Sequence, residues 1–322
     1  MKTLTPTTIA TGLVAGVTAA LLSLSATAQS FFSVVLYAAS ALPILIAGLR
    51  WGNASAFIAV IVGGLLASAL VSPYFALLFV IFTLVPAGWL SNLANLARPA
   101  SELGGPSDAL AWYPLSNILA HLAAIVVLGM IVVGRYDYIP TSEVVDLFIQ
   151  TMKEKEPLFN PDEATITQLK SVFAFMFPLT EAAFRVLVLF AAYYIASLIV
   201  RTSGKSLRPR EDMPSTLRMH RNAIFVFLAG LILSFMGGAI SFAGAIICGA
   251  FGAGFVLAGF ASLHFKTRGK PWRLLALLFT YLSVLIFTAI PILVTLLMGL
   301  MDTRRAIALT PAGPAEKKNQ NI

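Results

Sequence analysis

Apolar residues along this chain gather into nine long runs separated by polar breaks: 9–28, 31–48, 54–71, 74–96, 114–134, 172–200, 222–240, 243–264 and 274–300. A helix of about 20 apolar residues spans the roughly 30 Å hydrocarbon core of a bilayer. The pattern therefore predicts an all-α polytopic transmembrane bundle of eight or nine spans, forming one integral membrane domain over residues 1–322. Gln29-Ser30 turns the first hairpin, Arg50-Trp51-Gly52-Asn53 separates the second and third runs, and Ser72-Pro73 separates the third and fourth. Residues 98–112 read as a short polar connection rich in Gly and Pro.

The largest interruption, 135–170, carries four basic and seven acidic residues. Within it Val144, Val145, Phe148, Ile149 and Met152 recur at helical spacing, which predicts a short amphipathic helix on the membrane surface or over the bundle. Asn160-Pro161-Asp162-Glu163 reads as a helix start with Asn as the cap. The sixth helix would then run from about 161 to 200, about 60 Å, twice the hydrocarbon thickness. It must project from the membrane or break, and Pro178 is the natural place for a break or kink. At the N-terminus Lys2 and Ala26-Thr27-Ala28 imitate a cleaved secretory signal. The apolar stretch leads straight into another run, and a retained first helix is expected.

Charge placement orients the chain. The 201–221 loop holds six basic residues and 265–273 holds four, and short basic loops stay in the cytoplasm. That arrangement places the N-terminus and Arg98 inside and the acidic 135–170 loop outside. Nine spans would put the polar 302–322 tail, with Arg304, Arg305, Lys317 and Lys318, on the disfavoured side. Either the last run folds back at Pro291 or two runs form one span.

Composition then excludes alternatives. Apolar residues make up 58% and charged residues 11%, with mean hydropathy +0.88; soluble domains carry about 25% charged residues. A soluble enzyme, a disordered protein and a nucleic-acid-binding domain are excluded as the main reading. The net charge of +8 reflects topology signals, so the partner it predicts is the lipid bilayer rather than nucleic acid. No Ser-His-Asp grouping, P-loop or zinc-ligand cluster is recognisable, and Cys248 stands alone. No enzyme activity, metal or cofactor is expected. The glycines at 237, 238, 244, 249, 252, 254 and 259 read as sites of close helix packing.

Of the charged residues only Glu181 and Arg185 fall inside an apolar run. Each costs about 2.5–3.5 kcal/mol at a helix centre on insertion scales. They lie four apart, acid first, the better order for an ion pair. Together with Pro178 one turn earlier, and with Asn117 and His121 one turn apart in the fifth run, they form the candidate intramembrane polar site. A structural bridge fixing packing or depth stays open beside it.

A stripe of small residues, Gly12, Ala15, Gly16, Ala19, Ala20 and Ser23, marks the first helix. With Pro43 to Gly52, Gly63-Gly64-Leu65-Leu66 and Leu84-Val85-Pro86-Ala87-Gly88-Trp89, the first hundred residues resemble the substrate-binding S components of energy-coupling-factor (ECF) transporters. The whole-chain layout is similar to the YybS-like family of bacterial multi-pass membrane proteins, distant relatives of S components. The resemblance implies binding or transport of a small-molecule ligand, driven by cytoplasmic ATPases through a coupling subunit that docks on Ala15 and Ala19. S components usually have about six spans and lack the long acidic loop and the added C-terminal helices, and none of their substrate residues transfers. A non-transporting scaffold or assembly factor is the other expectation. Its basic 201–221 loop would hold anionic lipid, a soluble partner or RNA.

Overall fold

The computed structural model describes residues 5–28, 30–137, 141–156, 161–204, 206, 208–303 and 309–311. Helix starts follow capping chemistry. Thr5 accepts from Thr8 N ahead of α1 (Pro6–Ser23), and Pro6 occupies the first turn, where no amide donor is needed. The second span pairs α2 (Phe31–Ala39) with α3 (Ala41–Trp51), α2 being opened by a capping box between Ser30 and Ser33. Helix α4 (Asn53–Leu70) follows. Ser72 then caps α5 (Pro73–Phe79), which continues through a widened turn at 80–84 into α6 (Val85–Ala94).

Next come strands β1 (Ala97–Pro99) and β2 (Ala109–Trp112), then α7 (Leu115–Asp137), α8 (Thr141–Lys155) and α9 (Glu163–Thr202). A short turn, α10 (Met213–Thr216), precedes α11 (Ala223–Leu233) and α12 (Gly238–Lys266). Helices α13 (Arg273–Phe287) and α14 (Ala289–Met301) and strand β3 (Leu309–Pro311) complete the chain. The fold is helical, and seven of its helices are long and apolar enough to cross a membrane.

Three expectations change. The 222–240 run gives only the 11-residue α11, because the chain turns back at Gly237 and Gly238, both at positive φ. The last run also breaks, at Thr288 (φ 37°), three residues before Pro291. Helix α13 runs antiparallel to α12, with Tyr281 stacked on Phe260 and hydrogen-bonded to His264. Helix α14 then runs parallel to α12: Gly259 meets Thr295, and further along both helices Ser262 bonds Asp302. At about 1.5 Å per residue neither arm of this hairpin reaches 30 Å, and the chain returns to the side it left. The 98–112 connection is the third change. It forms an antiparallel sheet in the order β1-β2-β3, so part of the supposed C-terminal tail is a sheet edge, with Leu110 opposite Thr310.

The predicted amphipathic helix is α8, and it lies over the bundle. Val145 and Ile149 are buried, Phe148 packs on Phe173 of α9, and Asp146 pairs with Lys170 at 2.9 Å. Asp162, not Asn160, caps α9 by accepting from Thr165 N at 2.9 Å; Asn160 lies outside the described residues. Helix α9 continues unbroken through Pro178 for 40 residues, so of the two options for an overlong helix it takes projection.

The small-residue stripe is spent inside the chain. Ala15 and Ala19 are buried, and α1 lies so close to α4 that a Cβ on Gly16 would stand 2.7 Å from the Ala59 carbonyl. Thr11 and Ser55 share a 3.0 Å hydrogen bond across the same seam. The docking stripe inferred from resemblance is therefore not an exposed surface: α4 occupies it. The other side of α1, with Val14 and Leu21, is exposed and apolar, as lipid contact requires.

The ends of α3, α4, α6 and α9 converge on one face. There Arg50 donates to Ser203 Oγ, Asn53 to Asn92 Oδ1, and Asn95 to the Gly48 carbonyl. The 203–221 loop folds over these ends. Arg268 forks onto Asp212 at 2.8 and 2.9 Å, and Arg218 pairs with Asp302 at 2.9 Å. This is the basic face.

Candidate functional site

Glu181 and Arg185 of α9 form the predicted i,i+4 ion pair at 2.5 Å. The Arg185 guanidinium also lies over the Phe82 ring, 3.7 Å from its centroid, a favourable cation–π placement. Phe82 belongs to the π-helical turn at 80–84, closed by Val85 N donating to the Val80 carbonyl. Pro86 lies just beyond it, with no amide proton to return to Phe82, which accounts for the widening; such turns recur at functional sites. The pair borders a crevice of about 110 Å³ between α9, α2–α3 and this turn, with Tyr37 and Thr83 supplying its other polar groups.

Depth can be measured along α9 itself. From 181 to the basic-face end at Thr202 the helix rises about 30 Å, the whole hydrocarbon thickness. The pair thus stands toward the opposite side of the slab rather than at its centre, where a charge costs most. Side-chain exposure of 48% for Glu181 and 23% for Arg185 agrees with access from that side.

Asn117 and His121 do not join this site. They lie in the first two turns of α7, at its basic-face end. His121 Nε2 shares a 3.0 Å hydrogen bond with the Tyr113 hydroxyl, and its ring lies against Trp89 and Tyr113. Asn117 lines a separate hollow of about 350 Å³ with Arg98 and Trp112. The four candidates split two and two, because Asn117 and His121 lie at the basic-face end of α7 and Glu181 stands about 30 Å from that face along α9. Among the described residues no group of three His, Cys, Asp or Glu could hold a metal ion.

A third cluster, on the basic face, had no sequence signal beyond its charge. Arg208 donates to Glu211 and to the carbonyl of Tyr113 through Nη2, and to the Ala94 carbonyl at the end of α6 through Nη1. It thus answers an otherwise orphaned helix C-terminus. Burial pushes the Glu211 carboxyl above its usual 4.5, and Arg208 pulls it the other way. A carboxyl raised on folding stabilises fully below its unfolded value and loses that contribution as pH rises through its folded value. Thermal stability should therefore fall from this group as pH rises above about 4.5 through its raised folded value, and Glu211→Gln should flatten that part of the profile. Asp212 acts in the opposite sense. Its hydrogen bonds from Arg268 hold it below 3.8, so its contribution persists across the same window.

Comparison with protein-family models, with curated proteins and with solved structures found no match.

Proposed function

We propose that this chain is a bacterial inner-membrane protein that binds a small polar solute between α9 and α2–α3 and passes it across the bilayer. One observation carries the reading. Helix α9 bears Glu181, Arg185, Tyr193, Ser197 and Arg201 at four-residue intervals, with Leu189 the single apolar step. That ridge winds slowly around the helix, from the crevice lined by Glu181 and Leu189 to the basic-face hollow lined by Tyr193 and Arg201. Leu189 and Tyr193 are both buried and close the way between the two. Polar residues that recur along one ridge of a spanning helix ordinarily mark a pathway.

Orientation follows from the basic face, taken as cytoplasmic. The fold-back at Thr288 and the Arg218–Asp302 ion pair support placing residue 302 on the same side as the 201–221 loop, in keeping with the positive-inside rule. The S-component resemblance supports a solute-binding role, but coupling to ATPases would need a surface other than Ala15 and Ala19. A scaffold acting through the basic 201–221 loop is less well supported, since Arg208 and Arg218 of that loop are held in internal ion pairs.

The test is native mass spectrometry of the intact protein, with thermal unfolding across a panel of small polar solutes. Wild type should hold or respond to one such solute, and Glu181→Gln/Arg185→Gln should lose it. Equal behaviour of the two proteins throughout would overturn the reading.

A further inference from the structure

The hollow on the basic face is a second and chemically different place. It encloses about 310 Å³ between residues 208–214 and the last turns of α9, a size at the lower end for small-molecule sites. Tyr193, Ser197, Arg201, Arg208 and Arg210 supply polar groups, and Leu49 and Leu198 are among the apolar ones.

Charge accounting gives its sign. Each acid at the rim already has an arginine: Glu211 has Arg208 and Asp212 has Arg268. The Arg201 and Arg210 guanidiniums remain without a side-chain hydrogen bond or close ion pair among the described residues, Arg210 acting on Asp212 only at longer range. Arg201 also suits the negative C-terminal end of α9. Arg210, outside any helix, has no such role. Tyr193 is the independent sign of a ligand. It is 2% exposed and lines the hollow, yet its hydroxyl has no hydrogen-bond partner among the described residues. The hydroxyl borders the hollow, so a ligand oxygen there would accept its hydrogen bond.

We propose that this hollow binds a phosphate group, held by the Arg201 and Arg210 guanidinium forks and the Tyr193 hydroxyl. Planar forks match phosphate oxygens two at a time, and the phenol donates a third hydrogen bond. The exposed apolar flank of α9 beside it, Tyr194 and Leu198, opens the hollow toward the acyl region. The phosphate can therefore belong to an anionic lipid headgroup or arrive on a soluble molecule. The inference does not rest on the translocation reading, since Glu181 and Arg185 take no part in it.

The intact protein in phosphatidylcholine nanodiscs, titrated with inorganic phosphate and followed by thermal unfolding, tests the soluble source. Native mass spectrometry after incubation with phosphatidylglycerol tests the lipid source. Wild type should respond to at least one probe. Arg201→Gln/Arg210→Gln should bind it about tenfold or more weakly, as expected for lost charge-assisted hydrogen bonds. Tyr193→Phe removes only the hydroxyl and should weaken it several-fold while leaving the chain folded. Response to phosphate alone assigns a soluble ligand, and response to phosphatidylglycerol alone assigns a lipid. If wild type binds neither probe better than the two variants do, the proposal falls. The same holds if Glu181→Gln/Arg185→Gln abolishes the response while Tyr193→Phe leaves it intact.

Discussion

Replacing Asp302 with alanine should cost about 3–5 kcal/mol of stability, the usual consequence of removing one partner of a buried ion pair. Arg218 is 0% exposed and Asp302 7%. Asp302 Oδ2 accepts from Ser262 Oγ at 2.8 Å and lies 2.9 Å from Arg218 Nε. Arg218 Nη1 also donates to the Pro214 and Leu217 carbonyls. Alanine would remove the carboxylate that pairs with this buried guanidinium. Because Asp302 ends α14, the loss would also loosen the hairpin from α12 and the 203–221 loop from the hairpin. Thermal unfolding of the purified protein measures the cost. Asp302→Asn keeps the size and an acceptor for Ser262, and should fall between wild type and alanine. The double variant Arg218→Met/Asp302→Leu should recover much of the loss, since a well-packed apolar pair is often no worse than a buried ion pair. An Asp302→Ala protein that melts with wild type would show that the pair does not hold the hairpin.

That pair also marks where sequence reading stops. Arg218 counts in the sequence as one of six basic residues orienting a loop, and nothing near it names Asp302 as its partner. Local chemistry was legible. The four-residue spacing of Glu181 and Arg185 does give an ion pair, Val145 and Ile149 do bury one face of α8, and Gly244, Gly249, Gly254 and Gly259 do sit at close contacts, whereas Gly237 and Gly238 form a turn and Gly252 meets only a ring edge. Hydropathy located the early spans because each break there is polar or carries proline. It missed the break in 222–240 and offered Pro291 rather than Thr288 for a fold-back in 274–300; both breaks are backbone events, at Gly237-Gly238 and Thr288, within apolar sequence. The stripe of Ala15 and Ala19 declared close packing but not its partner, which proves to be α4. Asn117 and His121 announced a polar turn, while their distance from Glu181 depends on how α7 and α9 cross. Spacing along one helix is local information; register between helices is not.

The α12–α14 crossing should be as sensitive as the buried pair, for a steric reason. A Cβ on Gly259 would run into the Thr295 carbonyl, and a Cβ on Gly299 would run into the Phe255 carbonyl. Both obstacles are backbone, so no side chain can swing away, and α14 must move bodily. Alanine normally stabilises a helix interior by about 1 kcal/mol over glycine, so any net loss here understates the clash. Gly259→Ala should destabilise by about 1–3 kcal/mol, the usual range for overpacking, and Gly259→Val by more. Gly252→Ala on the same helix is the control. Its Cβ would meet only the Phe227 ring, at 3.4 Å, and it should be neutral or mildly stabilising. Gly259 and Gly299 share one contact, so the double alanine variant should lose less than the two single losses added together. Additive losses would mean that the two glycines act at separate contacts, and a Gly259→Ala protein as stable as Gly252→Ala would mean that α14 does not cross α12 at this point.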